Sequence, residues 1–454
     1  MKISRAYIFF LLTFLICRIT LYSGEPIDFP FSDRAMTGIL IKDLKTGKVI
    51  AEHNSRKLMT PASTLKLVTV AAALTETGAD SRYETRVSLY GTFSEKDSLF
   101  TGKVVITPSG DPTINNNKIE DTDNFTNYIA DLLISKGIRH FKGEFIIEGD
   151  DVPQQGQLPT WEIEDASYGY GAGWYAFNYN DNTVRYNICT GATDPNAPFL
   201  TFDKTYSPSP FEITHGVDSD VYCLSGKIPS NPSRWLTVPL PWPATLFFEQ
   251  IISALGEKNI RYECFKTDDC KDLPLVDSYV WTSCERKEIF DYLMTHSDNM
   301  MAEASLRSLA PGSTRDSSLV VERDILKGLG VDSKGMRIFD GSGLTRKNSV
   351  SPEFLADVLE AMHSTKNSSE YASYFPVAGK DGTMRSFRFK SSKGNILALK
   401  TGSVNGVRCY AGYLTDRTGK PLCAVVVMLN HLSCNVSDAK SAVEKYLQKT
   451  LGQY

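Results

Sequence analysis

The stretch "LMTPASTLKLVTVAAAL", Leu58 to Leu74, is hydrophobic nearly all the way round when wound as a helix. A surface helix carries one apolar stripe, whereas a helix apolar on every side is a buried one. The chain must therefore fold so as to enclose this segment. In its middle stands Lys66, with Ser63-Thr64 as the one polar stretch close by. Lysine is almost never fully buried without a partner, so the segment predicts a partner for Lys66.

The 454 residues allow two or three domains, each long enough to bury a core. With 42% hydrophobic residues, 22% charged and a formal charge of -4, the composition is that of an ordinary globular protein. It is neither a disordered chain nor a generally basic nucleic-acid binder. At the N-terminus, Lys2 and Arg5 precede an apolar run from Ala6 to Cys17 and then small polar residues around Ser23 and Gly24. That pattern predicts a signal peptide over residues 1–24 and export, periplasmic or otherwise extracytoplasmic. An uncleaved anchor is the alternative, and peripheral membrane association is left open. No other segment is long and apolar enough to span.

Loss of the leader removes Cys17 and leaves eight cysteines, an even number that permits disulfides without choosing among 105 pairings. Cys409 and Cys423 flank a turn and are expected to face each other across a hairpin, although core cysteines at strand positions look the same. There is no CxxC pair and no HExxH, and the six histidines are scattered, so no metal site is expected.

Along the chain, "TGILIKDLKTGKVIAEHN" reads as a hairpin around Lys45-Thr46-Gly47-Lys48. From about Tyr83 short strands and Gly/Pro/Asn-rich turns take over and continue to about Asp277, interrupted by the helical "NFTNYIADLLISKGI" and one more helix after "TVPLPWPATL". Helical patterns follow over Arg286 to Leu309 and Pro352 to His363, then strands, then a last helix from Ser437. Mixed ends around a β-rich middle predict one discontinuous domain, residues 25–82 and 278–454, interrupted by an inserted β-rich region, 83–277, of two subdomains.

Thr60 as N-cap and Pro61 at the first helical position would start the apolar helix and put Ser63 in its first turn. Ser63 and Lys66, three apart, then share one face about 5–6 Å apart at Cβ. A serine hydroxyl is a poor nucleophile until a base takes its proton. An apolar setting lowers a lysine's pKa and so makes it such a base. Ser-x-x-Lys alone is weak evidence: Ser437 and Lys440 match it on an ordinary terminal helix. Two further motifs follow in order. Ser297-Asp298-Asn299 opens an apolar helical run, and Lys400-Thr401-Gly402 ends an apolar strand. Each has a decoy elsewhere, Ser403-Val404-Asn405 and Lys45-Thr46-Gly47.

The order Ser-x-x-Lys, Ser-Asp-Asn, Lys-Thr-Gly is that of penicillin-binding proteins and serine β-lactamases. With "SGDPTI", "FDGSGLTRKNSVSP" and "FPVAGKDGTMRSF", and with the long gap between Ser63 and Ser297, the chain resembles the D-alanyl-D-alanine carboxypeptidase/endopeptidase family. These are the class C low-molecular-mass penicillin-binding proteins. The resemblance covers nearly the whole mature length. It implies an α/β multidomain fold, a serine β-lactamase/DD-peptidase-like domain whose antiparallel sheet is flanked by helices and interrupted by inserted β-rich domains.

The resemblance also implies roles. Ser63 is the nucleophile and Lys66 its base; Ser297 relays the proton; Asn299 binds a substrate amide; Lys400, Thr401 and Gly402 hold the substrate and its terminal carboxylate. The N–H groups of Ser63 and Ser403 form the oxyanion hole. In "LPTWEIEDASYGYGAGWYAFN", Trp161, Asp165 and Tyr170 match a segment whose acidic residue helps bind the free amino acid end of a diaminopimelate-type side chain, and Arg346 matches a position that pairs with its carboxylate. The ordinary alternative is a turn aspartate and a surface ion pair. Peptidoglycan stem peptides are the implied substrates and β-lactams the implied covalent inhibitors, with no metal or organic cofactor. A β-lactamase and a non-catalytic peptidoglycan-binding envelope protein are the rival readings. The first lacks a Glu-x-x-Leu-Asn segment after Asn299; the second has no use for a nucleophile and base.

Overall fold

The computed structural model describes residues 29, 34–119, 124–149, 151–231, 233–265 and 273–454. The expected signal peptide, Cys17 and Cys270 lie outside the described residues.

The chain opens with the expected hairpin, β1 (Met36–Asp43) and β2 (Val49–His53). Asp43 Oδ1 accepts from Thr46 N at 2.7 Å and from Thr46 Oγ1 at 2.8 Å, the side-chain turn that short Asp residues make. A 3₁₀ turn (Ala62–Leu65) leads into α1 (Lys66–Thr77). Every residue of α1 from Lys66 to Leu74 is buried, as its all-round apolar character requires. The start differs from expectation: Pro61, not Thr60, precedes the first turn, and no side chain caps it. Asn430 holds Thr60 instead, accepting from its N–H and donating to its carbonyl.

The next elements are β3 (Glu84–Ser94), β4 (Leu99–Thr107), α2 (Phe125–Ser135), β5 (His140–Ile147), β6 (Thr183–Asn187), β7 (Thr193–Asp194), β8 (Thr201–Tyr206), β9 (Glu212–His215), β10 (Val221–Gly226), β11 (Trp235–Pro239), α3 (Pro243–Glu257), β12 (Arg261–Cys264) and β13 (Leu275–Thr282). Five of these strands form one sheet in the order β12-β5-β4-β3-β13. In it β4 and β5 run parallel, joined by the α2 crossover. β13 pairs with β3 along its length, so this sheet continues to Thr282. Two three-stranded sheets, β11-β6-β7 and β8-β10-β9, complete the region. Its core is aromatic: Phe100, Phe125, Phe141, Phe145, Phe177, Tyr179 and Phe247 belong to one buried cluster that also takes in Tyr186 and Tyr222 from the small sheets.

The chain then returns through α4 (Arg286–His296), α5 (Asn299–Arg307), α6 (Arg315–Gly328), α7 (Pro352–His363), α8 (Ser368–Ser373), β14 (Ile396–Val404), β15 (Val407–Thr415), β16 (Pro421–Asn430) and α9 (Val436–Leu451). The helical stretch from Arg286 to Leu309 holds two helices, the second opening at the Ser-Asp-Asn motif as expected. Ser297 takes a left-handed conformation (φ 66°) that ends α4, and Asp298 starts α5 by accepting from Met301 N at 2.9 Å.

Both ends of the chain share one antiparallel sheet, β14-β15-β16-β1-β2. Alternation sorts its side chains. Ile39, Ile41, Leu399, Val425 and Val427 pack with Ala439, Val443 and Leu447 of α9. Leu40, Ala398, Val426 and Met428 face the other way, into the cluster of α1, α5 and α7. The sheet is thus covered by helices on both faces, with α1 enclosed on one side. The register corrects the cysteine expectation: Cys409 lies opposite Met428 and Cys423 opposite Leu414. Both thiols are free and buried.

Candidate active site

Three segments far apart in sequence meet at the start of α1. The first is the turn carrying Ser63. Ala62, just before it, is left-handed (φ 46°), a conformation costing a residue with a Cβ of order 1–3 kcal/mol. Its surroundings leave it no room to relax. A Cβ on Gly343 would stand 2.0 Å from Ala62 O, and one on Gly402 would stand 2.6 Å from Pro61 O and 3.1 Å from Ser63 N. Two glycines therefore allow the loop at 341–343 and the strand β14 to close on the serine turn.

Lys66 is fully buried and its partners are all acceptors. Its Nζ lies 2.6 Å from Asn299 Oδ1, 2.6 Å from the Ser342 carbonyl and 2.9 Å from Ser63 Oγ. The first two can only accept. Ser63 can also donate, so a neutral Lys66 spends its two N–H bonds on Asn299 and Ser342 and turns its lone pair to the Ser63 hydroxyl. Burial lowers the Lys66 pKa to about 8, against the opposing pull of Asp340, Asp298 and Glu303.

Two of those carboxylates, Glu303 and Asp340, also build the acceptor loop. Glu303 Oε1 accepts from the N–H groups of Gly341 (3.0 Å) and Ser342 (2.8 Å). Asp340 accepts from Gly343 N, Thr345 N, Asn348 Nδ2 and Trp161 Nε1 at 2.7–3.0 Å. The Ser342 carbonyl is thereby fixed toward Lys66.

The second pair is Lys400 and Ser297. Lys400 Nζ donates to Ser297 Oγ at 2.8 Å and to Thr401 O at 2.8 Å. It too is fully buried, and burial, with the charges of Lys66 and Arg408, holds its pKa well below the ordinary value. β14 is an edge strand. Its outer edge is covered where Ala378 N donates to Leu397 O and Leu399 N donates to Pro376 O. Beyond that cover the strand carries buried Thr401 and Gly402 and exposed Ser403 past the Ser63 turn.

The structure brings the remaining expected residues to the rim. Asn299 Nδ2 donates to the Tyr170 carbonyl at 2.7 Å, which ties the Tyr170 segment to the site. The Tyr170 ring is half exposed and stacks on Tyr168. Asp165 lies beside it; burial raises its pKa, opposed by a hydrogen bond from Tyr170 and the nearby charge of Arg346. The ion pair of Arg346 is with Glu162, at 3.3 Å, and Arg346 also donates to Asn405 O. Sequence reading gave no role to Glu303, Asp340, Lys118 or Asp181. Glu303 had a faint signal, as a lone acid in the apolar run "MMAEASL"; Lys118 had none.

A profile described as the D-Ala-D-Ala carboxypeptidase 3 (S13) family matches residues 27–450. A D-alanyl-D-alanine carboxypeptidase of Actinomadura sp. is 25% identical over 438 residues, covering 87% of this chain and 78% of the relative. The crystal structure of penicillin binding protein 4 from Haemophilus influenzae superposes with a TM-score of 0.76 at 20% identity, over 93% of this chain and 97% of that one. A second structure of that protein, complexed with a β-lactam, gives 0.72 at 20% identity over 93% and 98%.

Proposed function

The chain belongs to the D-Ala-D-Ala carboxypeptidase 3 (S13) family and is a serine-type peptidase of that class; on this premise we propose how its residues carry the reaction. The catalytic unit comprises the two ends of the chain, and the β-rich insertion between them walls the substrate cleft. Ser63 attacks the carbonyl of the penultimate D-alanine of a peptidoglycan stem peptide, with Lys66 as general base. The observation that carries this reading is the buried Lys66 amine 2.9 Å from Ser63 Oγ, its other directions taken by two fixed acceptors. At pH 7 a pKa of about 8 leaves roughly a tenth of Lys66 neutral and competent.

The tetrahedral oxyanion is received by the N–H groups of Ser63 and Ser403, donors whose individual loss typically costs about a hundredfold or more in rate. Ser297, held by Lys400, gives its hydroxyl proton to the leaving D-alanine nitrogen and takes back the proton that Lys66 removed from Ser63, so Ser297 and Lys66 both end the step as they began. The acyl-enzyme on Ser63 is then released by water. Asn299 and the open length of β14 align the peptide, and Lys400, Thr401 and Gly402 receive its terminal carboxylate. Asp165, Tyr170 and Arg346 form the rim that meets a diaminopimelate-type side chain, a zwitterion that needs both signs of charge. β-Lactams acylate the same serine. Export by the 1–24 leader places the enzyme outside the cytoplasm with its substrate. No helix among the described residues is long and apolar enough to cross a membrane.

Intact-mass spectrometry of the mature protein with benzylpenicillin, beside Ser63→Ala, tests the reading. A penicilloyl adduct that accumulates on the wild type alone is expected. Rapid turnover without an adduct would identify a β-lactamase instead, and no reaction with either protein would leave a binding module.

A further inference from the structure

The Ser-Asp-Asn motif is gripped from outside its own part of the chain. Lys118, on the "TINNNK" loop of the inserted region, donates to Asp298 Oδ2 at 2.7 Å, and the same Nζ pairs with Asp181. The two carboxylates are well buried, with 8% of each side chain exposed, while Lys118 keeps 35%. This is not a surface ion pair of marginal worth, because removing the lysine would leave two buried carboxylates facing each other.

The motif itself is conformationally unusual at this point. Ser297 is left-handed, and Asp298 is the N-cap of α5, one oxygen on Met301 N and the other on Lys118. A left-handed serine persists only where its neighbours over-determine it. The Asp181 side of the grip is strained too. Asn180, Asp181 and Asn182 are consecutively left-handed, with φ of 52°, 57° and 49°. Asn180 N donates to Ile114 O, and Asn182 Nδ2 donates to Gly173 O and Asn178 Oδ1, which lock that turn. Burial alone would favour a protonated Asp298; the charge and hydrogen bond of Lys118, with the Met301 N–H and the charge of Lys66, together outweigh it and hold the Asp298 pKa below the ordinary value.

We infer that Lys118 is a positioning residue for acyl transfer, supplied by the inserted region: it clamps Asp298 and thereby sets the two side chains flanking it, Ser297 for Lys400 and Asn299 for Lys66. This rests on the acyl-transfer reading above. On it, the insertion completes the catalytic geometry as well as shaping the cleft.

The test is the rate of penicilloyl-adduct formation with benzylpenicillin on the full mature chain, with the adduct amplitude recorded separately. The variants are Lys118→Met, which keeps the apolar stem and removes the charge, and Lys118→Arg, which keeps the charge. Lys118→Met is expected to slow acylation by between roughly tenfold and a hundredfold, the scale of a small displacement of catalytic groups, at undiminished amplitude. Lys118→Arg is expected to recover most of that loss. A lower amplitude with an unchanged rate per reactive site would mean Lys118 only keeps the protein folded, and would overturn the inference. So would wild-type rates in Lys118→Met, or equal losses in Met and Arg. Failure of the wild type to form any adduct would sink the acyl-transfer reading itself, a separate result.

Discussion

Lys66 and Lys400 are both fully buried amines bonded to a serine hydroxyl, at 2.9 and 2.8 Å, yet their surroundings are opposite. Three carboxylates, Asp340, Asp298 and Glu303, face Lys66 and offset part of its desolvation, leaving its pKa at about 8. Lys400 has no such support; the nearby charges are Lys66 and Arg408, which join burial in holding its pKa well below the ordinary value. One corner of the site thus holds an amine that titrates near neutrality, and the other an amine pushed away from its charged form. Proximity to a serine does not by itself make a base. The balance of burial against local charge decides which lysine can exchange a proton at working pH.

The comparison predicts unequal losses. Lys66→Met removes the proposed base for Ser63, and acylation by benzylpenicillin should fall by roughly a thousandfold, within the range general bases contribute. Lys400→Met leaves that base in place and strips Ser297 of its hydrogen-bond donor. A bond of this kind between neutral groups is worth about 0.5–1.5 kcal/mol, so the loss should be roughly twofold to tenfold. Rapid-quench measurement of adduct formation on both variants checks the order. A larger loss in Lys400→Met would reverse the assignment of the two amines.

How much of this was legible in the sequence follows from how local each feature is. The apolar run around Lys66, the alternation of Ile39, Leu40 and Ile41, and each three-residue motif are written in neighbouring residues. They point to the enclosed helix, the first hairpin and the six motif side chains that meet at the site, while the helix-covered sheet came from the family resemblance. Pairings that depend on register or distance were not written there. The turn after Thr415 sets Cys423 against Leu414, so the two cysteines miss each other in the ladder. The start of α5 is legible in its Ser-Asp-Asn cap, but the left-handed Ser297 that ends α4 is not, because serine carries no signal for that conformation. Lys118 is 180 residues from Asp298, and nothing in "TINNNK" distinguishes it from an exposed lysine on a loop. Glu303 and Asp340 tune Lys66 through the tertiary fold alone.

The smallest effect isolates that tuning. Glu303 uses a single oxygen for both backbone N–H groups of the 341–342 loop, so Glu303→Gln can keep both bonds while deleting the charge. The sign is fixed by electrostatics. An anion beside an amine favours its protonated form, so removing it lowers the Lys66 pKa and moves the rising limb of the acylation–pH curve to lower pH, by up to about one unit. Burial pushes the Glu303 pKa up to about 7, with Asp340 adding to the rise. The wild type therefore sheds this charge below neutrality, and the two curves should converge there. They should converge again well above pH 8, where Lys66 is neutral in both. Between those limits the variant should acylate severalfold faster than the wild type. A variant slower at every pH, with its limb unmoved, would mean that Glu303 acts only by holding the Ser342 carbonyl. The contrast between the two lysines would then rest on Asp340 and Asp298.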